Sequence, residues 1–228
     1  MKLSIIIPAF NEASQIGNTL ARLHDQAPEA ELLVVDGGSG DDTPALARKA
    51  CPEARIIQGA RGRALQLNQG AREAQGEWLL FLHADTCLPD GFLQAITQAE
   101  AAQYPVGVFG LRIAGRHPLL PWLGWGATWR TKLRHIFLGD QAPFVRRDMF
   151  SQLGGFPEQP LLEDYEFSRR LIRERIPLYV SPMRAETSGR RWDKGGFFRT
   201  WALMRWIYFD YHWRGSAERL AALYHHQR

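Results

Sequence analysis

Apolar positions along the chain fall into two patterns, short continuous runs and stripes with a period near 3.6, which alternate through its first half. Leu3 to Ile7 is a short run rich in β-branched residues, closed by Pro8, and reads as a central strand. Ile16, Leu20 and Leu23 then recur on one helical face, with Asn11 as the expected cap and Glu12 as the expected first residue of that helix. Glu31 to Val35 is the next strand, ended by Asp36. Gly37, Gly38 and Gly40 allow an open turn there; Thr43 is expected to cap, and Pro44 to begin, a helix running to about Ala50. A strand follows at Arg55 to Gln58, then a helix in GRALQLNQGAREAQG whose Ala64, Leu67 and Ala71 suit close packing and which Gly76 is expected to stop. Trp78 to Leu82 is unbroken apolar sequence, the mark of a strand buried on both faces. The order β-α-β-α-β-α-β predicts a parallel sheet with right-handed crossovers.

The second half is less regular. Asp90 is the expected cap of a helix to about Glu100, and Val106 to Ile113 reads as a strand from another part of the sheet. Residues 114–138 break the pattern with Pro, Gly and Trp. GDQAPFVRRDMFSQLGGF predicts a turn, a short strand at Ala142 to Val145, a helix from Asp148 and a Gly-Gly stop. LLEDYEFSRRLIRERIP is a helix with Glu163, Asp164 and Glu166 in its first turn, where the helix dipole favours anions. Leu178 to Val180 reads as a short strand, and the tail beyond it is aromatic and amphipathic. With no repeat, low-complexity tract or linker, one domain over 1–192 with a helical extension over 193–228 is expected.

Composition narrows the function classes. The chain has 228 residues, 45% hydrophobic and 23% charged, enough for a core that needs no staples. A net charge of +4 is too mild to argue for nucleic acid, and it suits an anionic ligand or membrane surface. Two cysteines without a CxxC pair fit a reduced, cytoplasmic chain. No cleavable signal pattern and no 18-residue apolar window are seen, so no bilayer span is expected.

The candidate chemistry lies where strands stop. Ligands of open α/β sheets bind just past the carboxyl ends of strands. His83 and Asp85 follow the apolar run 78–82 and, on an extended chain, would face one side and could share an ion. Carboxylate oxygens suit Mg²⁺ or Mn²⁺, and an imidazole tilts the choice toward Mn²⁺. Asp36 and Asp41 straddle the glycine turn, either as caps of that turn or as acceptors for ribose hydroxyls or a base N–H. There is no G-x-G-x-x-G after the first strand and no P-loop signature. Asp164, beside Glu163, is either a helix-capping acid or a general base. Arg190, Arg191 and Trp192 follow a Ser-Gly turn, and arginine forks suit phosphate oxygens.

Taken together, SIIIPAFNE, VVDGGSGDDT, GRALQLNQGA, LLFLHADT, GGF, LLEDYEFSRRL and SGRRW make the chain resemble a family 2 glycosyltransferase of the GT-A fold. HADT and GDQAPFVRR are similar to the branch described as radical-SAM/selenodomain-associated transferases. The resemblance implies an α/β fold: a GT-A nucleotide-binding architecture with a mostly parallel twisted sheet flanked by helices. It places Pro8, Ala9, Asn11 and Glu12 in the first nucleotide loop, and Asp36, Asp41 and Arg63 with the nucleotide-binding set. Asp85 matches the last acid of the metal-binding D-x-D motif, with His83 in place of the first acid. Asp164 matches the catalytic base of inverting members; Glu163, Arg191 and Trp192 fall near the donor phosphates and the acceptor. Gly37 stands where the family usually has a second aspartate.

The activity so implied is transfer of a sugar from a nucleoside-diphosphate sugar, a UDP-sugar first, to an acceptor hydroxyl, with inversion and with Mn²⁺ or Mg²⁺. The competing readings are a sugar-phosphate nucleotidyltransferase, which usually has a Gly-rich basic loop where this chain has PAFNE, and a catalytically silent nucleotide-binding protein. In the tail, aromatic residues are interleaved with Arg199 and Arg205 over 196–213. They read as a peripheral membrane contact at the inner face, suited to a lipid-linked acceptor, or as a helix packed back on the domain. Trp122, Trp125 and Trp129 read as an acceptor lid or as core.

Overall fold

The computed structural model describes residues 1–214 together with 217 and 220; the rest of the extension expected over 193–228 lies outside the described residues. The first half alternates as β1 (Leu3–Ala9), α1 (Ile16–Gln26), β2 (Glu31–Asp36), α2 (Thr43–Ala50), β3 (Arg55–Gln58), α3 (Arg63–Glu73) and β4 (Trp78–Phe81). These four strands lie side by side in the order β3-β2-β1-β4, every pair parallel. Alternate side chains of a strand point to opposite faces. Ile5 and Ile7 therefore enter one layer with Ile16, Leu20 and Leu80, while Ile6 enters the other with Leu33, Leu67 and Phe81. Both faces of β1, β2 and β4 are covered, which is why those three read as continuous apolar runs, whereas β3 at the edge has no buried residue. Each fully buried aliphatic side chain here contributes roughly 1.5–3 kcal/mol.

The second half adds β5 (Thr86–Cys87), α4 (Phe92–Ala101), β6 (Val106–Ala114), α5 (Leu120–Arg134), β7 (Phe144–Arg146), α6 (Arg147–Gln152), α7 (Glu163–Arg173), β8 (Leu178–Ser188), α8 (Arg190–Gly195) and α9 (Phe197–Arg214). The eight-stranded sheet runs β3-β2-β1-β4-β7-β6-β8-β5. β7 is antiparallel to both β4 and β6, β6 is parallel to β8, and β5 is antiparallel to β8. The expected parallel half thus passes through one reversed strand into a mixed half.

Several local expectations are corrected. Asn11 caps no helix: it has a left-handed φ of 55°, and α1 starts only at Ile16. Asp41, not Thr43, closes the start of α2, accepting from the Thr43 N–H at 3.0 Å. Gly76 does not end α3, which stops at Glu73; a Cβ there would lie 2.6 Å from the Ser4 nitrogen, so the glycine admits a chain crossing. Asp90 leaves α4 uncapped and instead accepts from Gln26 Nε2 at 2.8 Å. Leu178 opens an eleven-residue strand rather than a three-residue one. Residues 120–134, read as pattern-free, are helix α5, which Pro121 enters in its first turn, a position where proline is harmless.

Candidate active site

The residues that the resemblance assigned to a first nucleotide loop lie at the carboxyl ends of β1 and β2. Pro8 and Ala9 pair with Val35 and Asp36. The Ala9 carbonyl accepts from the Gly37 N–H at 2.9 Å and from Gln66 Nε2 at 2.8 Å. A Cβ on Gly37 would lie 3.1 Å from Gln66 Nε2, so the glycine that departs from the family pattern makes room for a buried glutamine. Asp36, itself buried, turns its carboxylate onto the turn and accepts from the N–H groups of Gly38 (3.2 Å) and Ser39 (3.1 Å). Asn11 locks the same turn from the other side: its N–H donates to Ser39 Oγ, and its Oδ1 accepts from Gly40 N, both at 2.9 Å. Asp41 also accepts from the Ala13 N–H, and the Thr43 hydroxyl leads the bonds that hold its pKa below the ordinary value. The turn is thereby fixed before any ligand arrives, with Gly38 and Gly40 exposed and nothing standing over their Cα atoms.

At the end of β4 the chain does not stay extended. Ala84 and Asp85 form a turn in which the Thr86 N–H donates to the His83 carbonyl at 3.1 Å. The geometric premise for aiming His83 and Asp85 at one ion is therefore not met. His83 lies against Gly139, where a Cβ would be 2.7 Å from its Nε2 and 3.3 Å from Asp164 Oδ2. Asp85 instead meets Arg190, the first residue of α8, whose Nη2 is 3.2 Å from Asp85 Oδ2 and 3.3 Å from Glu12 Oε2.

Asp164 and Glu163 open α7 and are both buried. Asp164 Oδ2 accepts from the Gly139 N–H, and its Oδ1 from the Tyr165 N–H at 2.7 Å. Glu163 faces Arg63, the first residue of α3, at 3.4 Å. Burial raises the Glu163 pKa, and the Arg63 charge opposes that rise.

Asp140 is the residue that the sequence reading missed. Desolvation lifts its carboxyl from 3.8 to about 6, with Arg130 pulling it down and Asp164 pushing it up; Arg63 and Arg191 also pull it down. Those neighbours place Asp140 in the same cluster as the α7 acids. Among the described residues, Asp140 Oδ1 and Arg130 Nη2 are the buried side-chain atoms left without a hydrogen-bond partner. Such orphans are uncommon and point to an absent partner. The available signal was an acid inside the short GDQA connection ahead of a strand. Trp192 packs with Leu111, Ile113 and Leu120, its ring 5.4 Å from that of Phe197.

The acids thus form two linked groups: Asp36, Glu12 and Asp85, joined through the turn and Arg190, and Asp140, Glu163 and Asp164, joined with Arg63 around Gly139. Asp85 and Glu12 bracket one cationic group. That oxygen pair fits a hard divalent ion, which is held by one or two carboxylates and otherwise by substrate phosphates. The one cluster of three potential ligands among the described residues, His24, Cys51 and Glu53, lies elsewhere, in the last turn of α1 and the turn that follows α2.

An open sheet whose strand ends carry a braced glycine turn and a buried acid cluster is the architecture of GT-A glycosyltransferases. The chain belongs to glycosyl transferase family 2, whose sequence profile matches residues 4–150. It is 31% identical over 179 residues to a PGL/p-HBAD biosynthesis glycosyltransferase of Mycobacterium bovis, covering 73% of this chain and 68% of that one. It is 28% identical over 185 residues to an uncharacterized glycosyltransferase of Haemophilus influenzae, covering 75% of this chain and 62% of that one. Among solved structures, the fold resembles a mannosyltransferase from Pyrobaculum calidifontis in complex with GDP-Man and Mn²⁺, with a TM-score of 0.70, 22% identity, and 90% and 61% of the two chains covered. It also resembles S. aureus TarS in complex with UDP-GlcNAc, with a TM-score of 0.67, 21% identity, and 83% and 59% covered. The chain therefore spans about three fifths of the length of several of these proteins.

Proposed function

We propose that this glycosyltransferase moves a sugar from a nucleoside-diphosphate sugar, a UDP-sugar first, to an acceptor hydroxyl with inversion, and that Asp164 is the general base. The observation carrying this reading is the convergence of Asp140, Glu163 and Asp164 with Arg63 and Arg191, Arg63 opening the helix whose Gln66 bonds the Ala9 and Val35 carbonyls at the strand ends next to Asp36. The acceptor oxygen bonds to the anomeric carbon as the bond from that carbon to the phosphate oxygen breaks. The acceptor proton passes to Asp164, and the nucleoside diphosphate leaves. Gly139 and Tyr165 N–H groups hold both Asp164 oxygens in one orientation, and holding reactants in place accounts for roughly 7–11 kcal/mol of the barrier in well-oriented systems. The ribose and base are assigned to the turn of Pro8, Ala9, Asn11, Glu12, Asp36 and Asp41, and the diphosphate to Arg63, Arg190 and Arg191. A divalent ion, when bound, would sit on Asp85 with Glu12 at hand and would take up charge on the departing diphosphate. Asp140 Oδ1 and Arg130 Nη2 supply an acceptor and a donor for a sugar hydroxyl, which both donates and accepts.

The acceptor is proposed to be lipid-linked and reached from the cytoplasmic face, with 1–192 as the transferase domain and 193–228 as its extension. The likeness of HADT and GDQAPFVRR to the radical-SAM-associated branch is part of the same proposal. The test is Asp164→Asn. The variant should keep its thermal shift with UDP and lose transfer to any acceptor that the parent glycosylates; normal turnover would overturn the base assignment.

A further inference from the structure

Two helices far apart in sequence carry an aromatic surface that the fold does not use. Trp122, Trp125, Trp129 and Leu133 lie three or four residues apart along α5, 69%, 48%, 43% and 75% exposed. Neighbouring indoles meet edge-on at 6.3 and 5.7 Å. The opposite face, Leu120, Gly124, Thr128 and Thr131, is the buried one, and it comes so close to β6 that a Cβ on Gly124 would lie 2.8 Å from the Leu111 carbonyl oxygen. The tryptophans are therefore neither core nor able to become core by a small rotation of the helix.

α9 repeats the design. Ile207 and Tyr211 pack on Leu161 and Leu162, as the packed-back reading of the tail expects. The other side shows Phe198, Phe209 and Trp213, 70%, 63% and 76% exposed, with Arg205 between them. The two surfaces meet at the start of α9, where the His117 ring stacks on Phe197 at 4.4 Å and Phe198 stands edge-on at 6.2 Å.

We propose that α5 and α9 together form one docking face for an anionic lipid bilayer. Charge decides the occupant. α5 exposes Lys132 and Arg134 and contains no acid, and the one acid of α9, Asp210, is buried while Arg199 and Arg205 are exposed. Every described exposed charge on the two helices is therefore positive. Anionic headgroups attract such a face, while tryptophan and phenylalanine fit the headgroup–acyl boundary. A second copy of the chain would set like charges against like across a symmetric contact. No helix among the described residues is long and apolar enough to cross a membrane, so the face lies on the bilayer. Trp192, which touches Phe197, joins the face to the α8 arginines, so docking brings the transferase site to the surface from which a lipid-linked hydroxyl projects. That last step rests on the transferase reading; docking itself does not.

The test is sedimentation with phosphatidylcholine vesicles, with and without phosphatidylglycerol, at low and high salt. The whole protein should pellet with the anionic vesicles at low salt and should be largely released by salt. Trp125→Ser/Trp129→Ser and Phe209→Ser/Trp213→Ser should each lower the vesicle partition coefficient about tenfold or more. Both should keep the nucleotide thermal shift, which separates lost docking from lost folding or a lost donor site. Three results overturn the proposal: a parent that stays in the supernatant, one that pellets equally with neutral vesicles, or one whose aromatic face is covered by self-association in sedimentation velocity. Loss of binding in the α9 variant alone overturns the joint face.

Discussion

The guanidinium of Arg190 lies 3.2 Å from the Asp85 carboxylate and also reaches Glu12 at 3.3 Å, joining segments 105 and 178 residues apart. All three side chains are partly exposed, so the bridge contributes little stability, in the range of about 0–1 kcal/mol. Its consequence is competition for Asp85, because a cation that binds there must move the guanidinium. Arg190→Ala should therefore bind Mn²⁺ alone more tightly and UDP in EDTA more weakly than the parent. Electron paramagnetic titration of Mn²⁺ and calorimetry of UDP read the two effects separately. No change in either would mean that Arg190 belongs to neither the ion nor the diphosphate site.

Asp140 predicts a pH dependence of stability. Its carboxyl titrates near 6 when folded, above its ordinary 3.8, so the folded protein binds the proton more tightly than the unfolded chain does. Stability from this group is therefore complete below about pH 3.8, falls as pH rises to about 6, and stays low above that. Glu163 acts in the same direction, so the measurement must be a difference. Asp140→Asn should melt above the parent at pH 7.5 and close to it near pH 4, with transfer impaired at both. A constant offset across that range would remove the buried-charge account.

Arg63 and Glu163 form an ion pair whose side chains are 27% and 2% exposed. Removing one partner from a buried pair strands the other charge, at a cost of about 3–5 kcal/mol. Arg63→Ala should show a loss toward the lower end, since its own end is wetter. Adding Glu163→Gln should return part of it, because a neutral amide needs no counter-charge. Chemical denaturation of the single and double variants gives the coupling; strictly additive losses would mean that the 3.4 Å contact carries no interaction.

What the sequence disclosed, and what it hid, follows from where each signal lives. Strands buried on both faces announce themselves as apolar runs, so the strands of the parallel half were legible almost to the residue, while the ends of α1 and α3 were not. β8 was not, because seven of its eleven residues are less than fully buried and its sequence offers no clean alternation. α5 was hidden by Pro121, Gly124 and Gly126, residues that weaken a helix, although Pro121 sits harmlessly in the first turn and Gly124 is needed where the helix touches β6. Asp36, Asp85 and Asp164 were visible because each stands at or just past the end of a strand or in the first turn of a helix. Asp140 was not, because its importance comes from Arg130, Arg191 and Asp164, which only the folded chain brings near it. His83 was read from an extended geometry, and the turn at Ala84 and Asp85 sent the two side chains to different neighbours.

Gly139 gives the sharpest test of the acid cluster, since no side chain of its own takes part. Its N–H donates to Asp164 Oδ2, and a Cβ at this position would lie 2.7 Å from His83 Nε2 and 3.3 Å from Asp164 Oδ2. One methyl group must therefore push the imidazole aside, and it crowds the carboxylate as well. The turn at 36–41 is held by bonds with Asn11, Ser39 and Thr43, none of which involves Gly139. Gly139→Ala should thus lower kcat far more than it raises the KM for the donor, and it should leave the UDP thermal shift in place. If displacement of His83 is the cause, Gly139→Ala/His83→Ala should recover part of the lost kcat by vacating the space the methyl needs. Should the single variant turn over like the parent, tight packing of His83 and Asp164 about this glycine has no part in the chemistry.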